Sequence, residues 1–235
     1  MDNPVENGKI EVLGGQGYVR LLDNMGDDLS VVNAARVSFD KESKELSSND
    51  KNLIDFLVKH KHDSVFRHQV LSFEVYAPLE IKNQWIKHTV ASTHIDDQYG
   101  WNESSRRYIT EDAEFYLPEV IHSKPDNNKQ GHGEPHPNQE DFKAKLKNTY
   151  TIALENYENA LADGVAPQEA RLLLPAYALM VRWRWTTSLN AVLNFVSLRL
   201  ASGAQLEIQE YAAAVNSLIY KNYPYTARSW SLHRV

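Results

Sequence analysis

The sequence predicts an α+β protein, on three observations. Two stretches alternate with a period of two: Leu71, Phe73, Val75 and Ala77 against Val70, Ser72, Glu74 and Tyr76, and Val181, Trp183 and Trp185 against Arg182 and Arg184. That is the pattern of strands with one strongly apolar face. Elsewhere apolar residues recur every three or four positions, longest through Phe142, Leu146, Tyr150, Ala153, Tyr157 and Leu161, which is the helical period. Finally, 235 residues at 42% hydrophobic content supply one sizeable core, so a single domain over 1–235 is expected.

In chain order, residues 1–15 read as a polar tail. "GYVRLLDNMGDDLSVVNAARVSFD" reads as a short strand, a turn at Asn24 to Gly26 and a helix capped by Asp27 or Asp28. After the charged link "KESKELSSND", "KNLIDFLVKHK" puts Leu53, Phe56, Leu57 and His60 at helical spacing. Pro78 ends the strand over 70–77, and "LEIKNQWIKHTVA" has the propensity of a helix. The polar stretch that follows is then a helix-end loop. Residues 123–140, "SKPDNNKQGHGEPHPNQE", lack apolar periodicity and are rich in Pro, Gly and Asn, which predicts an exposed, mobile loop. Gly164 stops the helix through 142–161, and Pro167 opens another through "PQEARLLLP". After the strand over 181–185, "SLNAVLNFVSLRLA" and "AQLEIQEYAAAVNSLIYKNY" close the chain as two helical segments.

Several function classes are excluded. A net charge of -6 argues against general nucleic-acid binding, which needs a surplus of positive charge. With no cysteine, disulfides, thiolate metal sites and a Cys nucleophile are out. No apolar run is long enough for a bilayer, and "MDNPVENGKI" has no signal-peptide pattern; a soluble cytoplasmic protein with no membrane partner is expected. G-x-S-x-G, P-loop and G-x-G-x-x-G patterns are missing, so a triad hydrolase is disfavoured and any nucleotide cofactor must be held in a non-Rossmann way. His60, His62 and Asp63 fit no metal-ligand spacing, and no metal is expected.

The arginines carry the positive signal. Arg171 and Arg199 lie in the apolar segments "EARLLLP" and "FVSLRLA", where a buried guanidinium needs an anion or several acceptors. Glu169, Glu207 or helix carbonyls could serve. Together with Arg106 and Arg107, however, they make a phosphate or nucleotide site plausible, because the guanidinium fork binds phosphate or a base edge bidentately. "NESSRRY" packs Asn102, Glu103, Ser104, Ser105, Arg106 and Arg107 into one short segment. An Asx or Ser turn would explain Asn102 and Ser104 alone.

These residues resemble the flavin-dependent thymidylate synthases. That family's signature is R-H-R-x-x-S followed by x-N-E-x-S-x-R-Y; here "KHTVAS" is followed, after an inserted "HIDDQYGW" (94–101), by "NESSRRY". "LLDNMGDDLSVVNAARVSFD", "LVKHKHDSVFRHQVLSFEVYAP", "EARLLLP" and "LNFVSLRLASGAQLEIQEYA" resemble the family's other blocks in the same order. The resemblance implies a central, twisted, mainly antiparallel sheet flanked by helices, of the thymidylate synthase-complementing type. It implies methylation of dUMP to dTMP with methylenetetrahydrofolate and NADPH as co-substrates and FAD as cofactor, without a cysteine nucleophile, in a homotetramer whose sites combine subunits. A chain lacking cysteine suits that chemistry.

By residue, the resemblance makes Arg199 the catalytic arginine that contacts the pyrimidine and favours ionisation at N3. Gln84, Lys87, Glu103, Ser104, Ser105, Arg106, Arg107 and Arg171 are the remaining substrate-binding residues. His62, Ser64, Lys87, His88, Thr89, Ser188, Asn190 and Asn194 are cofactor-binding, with His62 near the flavin ring. The departures are Lys87 and Thr89 where the family has arginines, and Arg67 where it has glutamate. The insertion, with Asp96, Asp97, Tyr99 and Trp101, either stacks an aromatic on a flavin or folate ring or is a tolerated surface loop. Altered one-carbon chemistry such as hydroxymethylation, or a non-catalytic nucleotide-binding homologue, stay open as alternatives.

Overall fold

A computed structural model describes residues 8–88, 100–106, 112–125 and 132–234. The chain opens with β1 (Lys9–Val12) and β2 (Gly17–Met25), then α1 (Asp28–Arg36) and α2 (Ser48–Lys59). β3 (Val70–Pro78) runs into α3 (Leu79–Trp85), and β4 (Gly100–Glu103) follows. Next come α4 (Gln139–Ala162), α5 (Pro167–Ala170), β5 (Met180–Ser188), α6 (Leu189–Leu200), α7 (Leu206–Tyr220) and α8 (Pro224–Arg234). The five strands form one sheet in the order β1-β2-β3-β5-β4, antiparallel at every pairing. This is the expected α+β architecture.

The period-two patterns decide which face is buried. Leu71, Phe73, Val75 and Ala77 of β3 are fully buried, and β5 lays Trp183 and Trp185 opposite Val75 and Phe73. On that face Trp85 stacks on Phe195 of α6 with ring centroids 4.2 Å apart. Such aromatic pairs add to what their buried area contributes. The opposite face carries Arg20, Glu74 and Arg184 in one cross-strand row. Tyr211 of α7 donates its hydroxyl to the Tyr76 carbonyl at 2.8 Å, passing over Gly17. A side chain at Gly17 would meet that carbonyl at 2.8 Å, so the close approach of helix and sheet requires glycine.

Several elements differ from the sequence expectation. Residues 9–12 of the expected polar tail are an edge strand with Ile10 and Val12 buried. The buried side of α2 is Asp50, Ile54, Leu57 and Val58, while Phe56 is 49% exposed. The expected helix-end loop ends in β4. The described ends of the expected mobile loop are hydrogen-bonded, Ser123 N to Glu134 O and His136 N to Ile121 O, and residues 139–140 begin α4; residues 126–131 lie outside the described residues. A third closing helix, α8, was not expected. Its start is held by Asp28, which accepts from Tyr225 N, Thr226 N and the Thr226 hydroxyl at 2.6 to 2.9 Å. Among the described residues no helix is long and apolar enough to cross a membrane.

α1 and α2 are tied by a second buried carboxylate. Asp50 accepts from Arg36, Ser43 and Ser47 and completes a capping box at the start of α2. Burial alone would raise its carboxyl, but the bonds from Ser47, Arg36 and Ser43 outweigh burial and hold it far below its ordinary value of 3.8. A lowered folded-state value means the stabilisation is full above about pH 4 and lost as pH falls below that. Asp50→Asn should therefore cost about 3 kcal/mol in urea unfolding at pH 7, and the gap to the wild type should narrow on acidification below pH 4. An equal loss at both pH values would mean that the charge of Asp50 contributes nothing.

Candidate active site

The site begins at the sheet edge. β4 pairs with β5, setting Glu103 opposite Trp183, and Trp101 stacks on Trp183 at 5.5 Å and 17°. Past β4 the chain stays on β5 because Ser104 N donates to Arg182 O at 2.8 Å and the Ser104 hydroxyl accepts from Arg182 N at 3.0 Å. Ser104, Ser105 and Arg106 therefore leave the sheet edge at fixed positions. They line a cavity of about 530 Å³ with Glu103, Arg171 and an apolar wall that includes Leu79, Leu174, Leu179 and Val181. The sequence reading missed that wall. It also missed Lys82 of α3, whose ammonium grips both Glu103 oxygens at 2.8 and 3.0 Å; a lysine two residues from Gln84 was the available signal.

Two guanidiniums border the cavity. Arg106 lies 5.7 Å over the Tyr157 ring, and its buried Nε has no hydrogen-bond partner among the described residues. Arg171 follows α5, and its Nε donates to Gln168 O at 3.2 Å. It is exposed rather than buried, because α5 gives way to a 3-10 turn that turns Arg171 and Leu172 outward. Two cations and two hydroxyls opposite an apolar wall suit an anion joined to a flat, weakly polar body. Arg107 lies outside the described residues.

A second cluster joins the C-terminal ends of α3 and α6. Arg199 Nε donates to His88 Nε2 at 2.9 Å, and Arg199 Nη2 donates to Gln84 O at 3.2 Å. The Gln84 amide donates to the Gln205 side chain at 2.6 Å. His88 is 6% exposed and edge-on to Phe195. Burial, then the Arg199 charge, pushes its ring from 6.5 down to about 4. Burial likewise lowers Arg199 from its ordinary value. Lys87, next to His88, is exposed.

The expected cofactor residues form a third group. His62, just before the 3-10 turn (Asp63–Arg67) that packs against α6, and Ser64 on it are exposed. His62 meets the exposed Phe56 ring edge-on at 5.6 Å. Arg67, on the same turn, has a buried Nε without a partner among the described residues. Ser188 caps α6 by accepting from Ala191 N at 3.3 Å, Asn190 is buried and Asn194 half-buried one turn on. Imidazole, hydroxyl, amide and guanidinium donors beside an exposed ring fit the pyrophosphate and ring edges of a flavin dinucleotide. Thr89 and residues 94–99 of the insertion lie outside the described residues, and Trp101 is committed to Trp183. Among the described residues no group of three or more His, Asp or Glu side chains could hold a metal ion.

The fold and these groups define a one-sheet α+β protein with an arginine-bordered cavity at its sheet edge. The family model for the thymidylate synthase complementing protein matches residues 20–225. A flavin-dependent thymidylate synthase of Thermotoga neapolitana is 37% identical over 93% of this chain and 92% of its own. One from Thermus thermophilus is 36% identical, covering 93% and 77%. A crystal structure of the UMP/dUMP methylase PolB from Streptomyces cacaoi bound with 5-Br dUMP superposes with a TM-score of 0.80 at 28% identity, over 93% of this chain and 96% of that one. The chain belongs to the family of flavin-dependent thymidylate synthases.

The His88 environment yields a direct test. Because the folded value lies below 6.5, the unfolded chain takes up this proton first, and the stability His88 supports is full above about pH 6.5 and falls as pH drops towards 4. Histidine NMR should show no His88 midpoint between about pH 5.5 and 8. A midpoint near 6.5 would show a ring that is neither buried nor engaged by Arg199.

Proposed function

We propose that this chain is a flavin-dependent thymidylate synthase. It converts dUMP to dTMP, taking the one-carbon unit from 5,10-methylenetetrahydrofolate and reducing equivalents from NADPH through FAD. The observation that carries this reading is the cavity that sets Ser104, Ser105, Arg106 and Arg171 across from an apolar wall. The arginines and hydroxyls hold the nucleotide phosphate, joined by Arg107, and the apolar side accepts the sugar and base. Glu103, fixed by Lys82, orients the nucleotide. Gln84 and Lys87 complete the substrate contacts, and Arg199 polarises the pyrimidine and stabilises its N3 anion. With no cysteine in the chain, the pyrimidine is activated electrostatically and not by a thiolate.

His62, Ser64, His88, Thr89, Ser188, Asn190 and Asn194, with Lys87, hold the FAD. When bound, reduced flavin supplies the hydride. Arg199 does not line the cavity that holds Arg171. A homotetramer, in which the cavity of one subunit meets the Arg199 cluster of another, accounts for that separation. The single domain works in the cytoplasm, where its nucleotide and folate substrates are made. Methylation is favoured over hydroxymethylation or a purely binding role because the relatives that span nearly the whole chain are named as synthases.

Purified protein loaded with FAD and supplied with 5,10-methylenetetrahydrofolate should reoxidise its NADPH-reduced flavin in a dUMP-dependent way and form dTMP, identified by mass, with UMP tested in parallel. Arg171→Ala should raise KM for dUMP by about tenfold to a hundredfold with a smaller effect on kcat, the mark of lost ground-state binding. A hydroxymethyl product, or no product with FAD bound, would overturn the assignment.

A further inference from the structure

Arg199 is held by two contacts along one edge of its guanidinium. Nε and Nη2 form the side edge of the fork, and they donate to His88 Nε2 at 2.9 Å and Gln84 O at 3.2 Å. Gln84 O lies in the last turn of α3, where helix carbonyls lack an intrahelical donor and attract a cation. The other acceptor is more informative. A guanidinium neither accepts a hydrogen bond nor loses its proton in a protein. His88 Nε2 must therefore carry the lone pair, which makes the ring neutral with its proton on Nδ1. Phe195 closes one side of that ring, and the His88 backbone N–H, donating to Trp85 O at 2.9 Å, holds it in the turn after α3.

We propose that His88 is a positioning residue: its neutral Nε2 fixes the side edge of Arg199 so that the end edge, Nη1 with the second hydrogen of Nη2, faces the pyrimidine. The inference rests on the nucleotide reading above. Two parallel N–H groups match two adjacent acceptors, a pyrimidine carbonyl oxygen and an ionised N3. A free arginine would have to lose side-chain entropy on binding, and the two contacts remove most of that cost beforehand. His88 then has only its Nδ1–H to offer a flavin, so one ring serves both ligands through different nitrogens. Because the pair links the ends of α3 and α6, a change in one helix reaches the nucleotide contact of the other.

The test is a thermodynamic cycle on dUMP binding, read by calorimetry with and without FAD, with the flavin spectrum recorded for each variant. His88→Phe removes the acceptor and should weaken dUMP binding about tenfold, whereas His88→Gln, whose amide oxygen takes the place of Nε2, should stay within about threefold of wild type. In an Arg199→Ala background His88→Phe should have no further effect on dUMP. Weakening by His88→Phe that persists in that background, or a Gln variant no better than Phe, would overturn the positioning role. If wild-type protein binds no dUMP at all, the nucleotide reading fails instead, and this inference with it. Near-ultraviolet circular dichroism of each variant separates misfolding from loss of positioning, and if the Phe variant misfolds, His88→Leu, which also lacks the acceptor, takes its place in the same comparison.

Discussion

The pairing of β3 with β5 is the constraint on which the rest depends. The two strands stay in register from Val70 with Ser188 to Pro78 with Met180. Because side chains alternate, a slip of one residue would turn Trp183 and Trp185 outward and bury Arg182 and Arg184. Apart from Arg171, the groups of the site leave this ladder from defined points. β3 is preceded by the turn with Ser64, entered through His62, and runs directly into α3, which carries Lys82 and Gln84 and is followed by the turn with His88. β5 runs directly into α6, which carries Asn190, Asn194 and Arg199. The outer edge of β5 carries β4 and hence Glu103 to Arg106.

Both strand-to-helix junctions use the same economy. Pro78 ends β3 and opens α3, and Ser188 ends β5 and caps α6, so neither junction inserts a loop. The two helices must then converge at their far ends, because both start from neighbouring strands of one antiparallel pair and return across the same face. Trp85 and Phe195 fill the space between them, and the Arg199 and His88 contact lies where that packing ends. The polar cluster is thus dry on its inner side, which explains why the His88 ring is driven to its neutral form.

What was legible in the sequence was what repeats. β3, β5, α4, α6 and α7 announce themselves because one buried face writes a period of two or about 3.6 into the residues. β1 and β4 are four residues each, too short to show a period. β4, with glycine and asparagine, exists because β5 offers an edge and Trp183 a ring for Trp101. α8 has no strong apolar stripe, and its start depends on Asp28, nearly 200 residues earlier in the chain. The site followed the same rule. The residue types of the cavity were visible in "NESSRRY" and "EARLLLP", whereas Lys82 and an apolar wall that runs from Leu79 of α3 to Val181 of β5 become a site only through tertiary contact.

The departures from the family signature have a physical reading in this framework. Against the signature that the sequence resembles, Lys87 and Thr89 in place of two arginines lower the positive charge of the segment after α3 by one, while Arg67 in place of glutamate raises that of the turn with Ser64 by two. Arg67 is half-buried with an unpartnered Nε among the described residues, whereas Lys87 is exposed. A positive charge in a partly desolvated position acts on a nearby anion more strongly than one in water. The substitutions therefore shift the basic potential away from the end of α3, where Arg199 already supplies a cation, and towards the 3-10 turn. An added cation next to His88 would oppose any protonation of its ring, as Arg199 does. With Thr89 in place of an arginine, the neutral state of His88 rests on burial and Arg199, the residue that it holds in place.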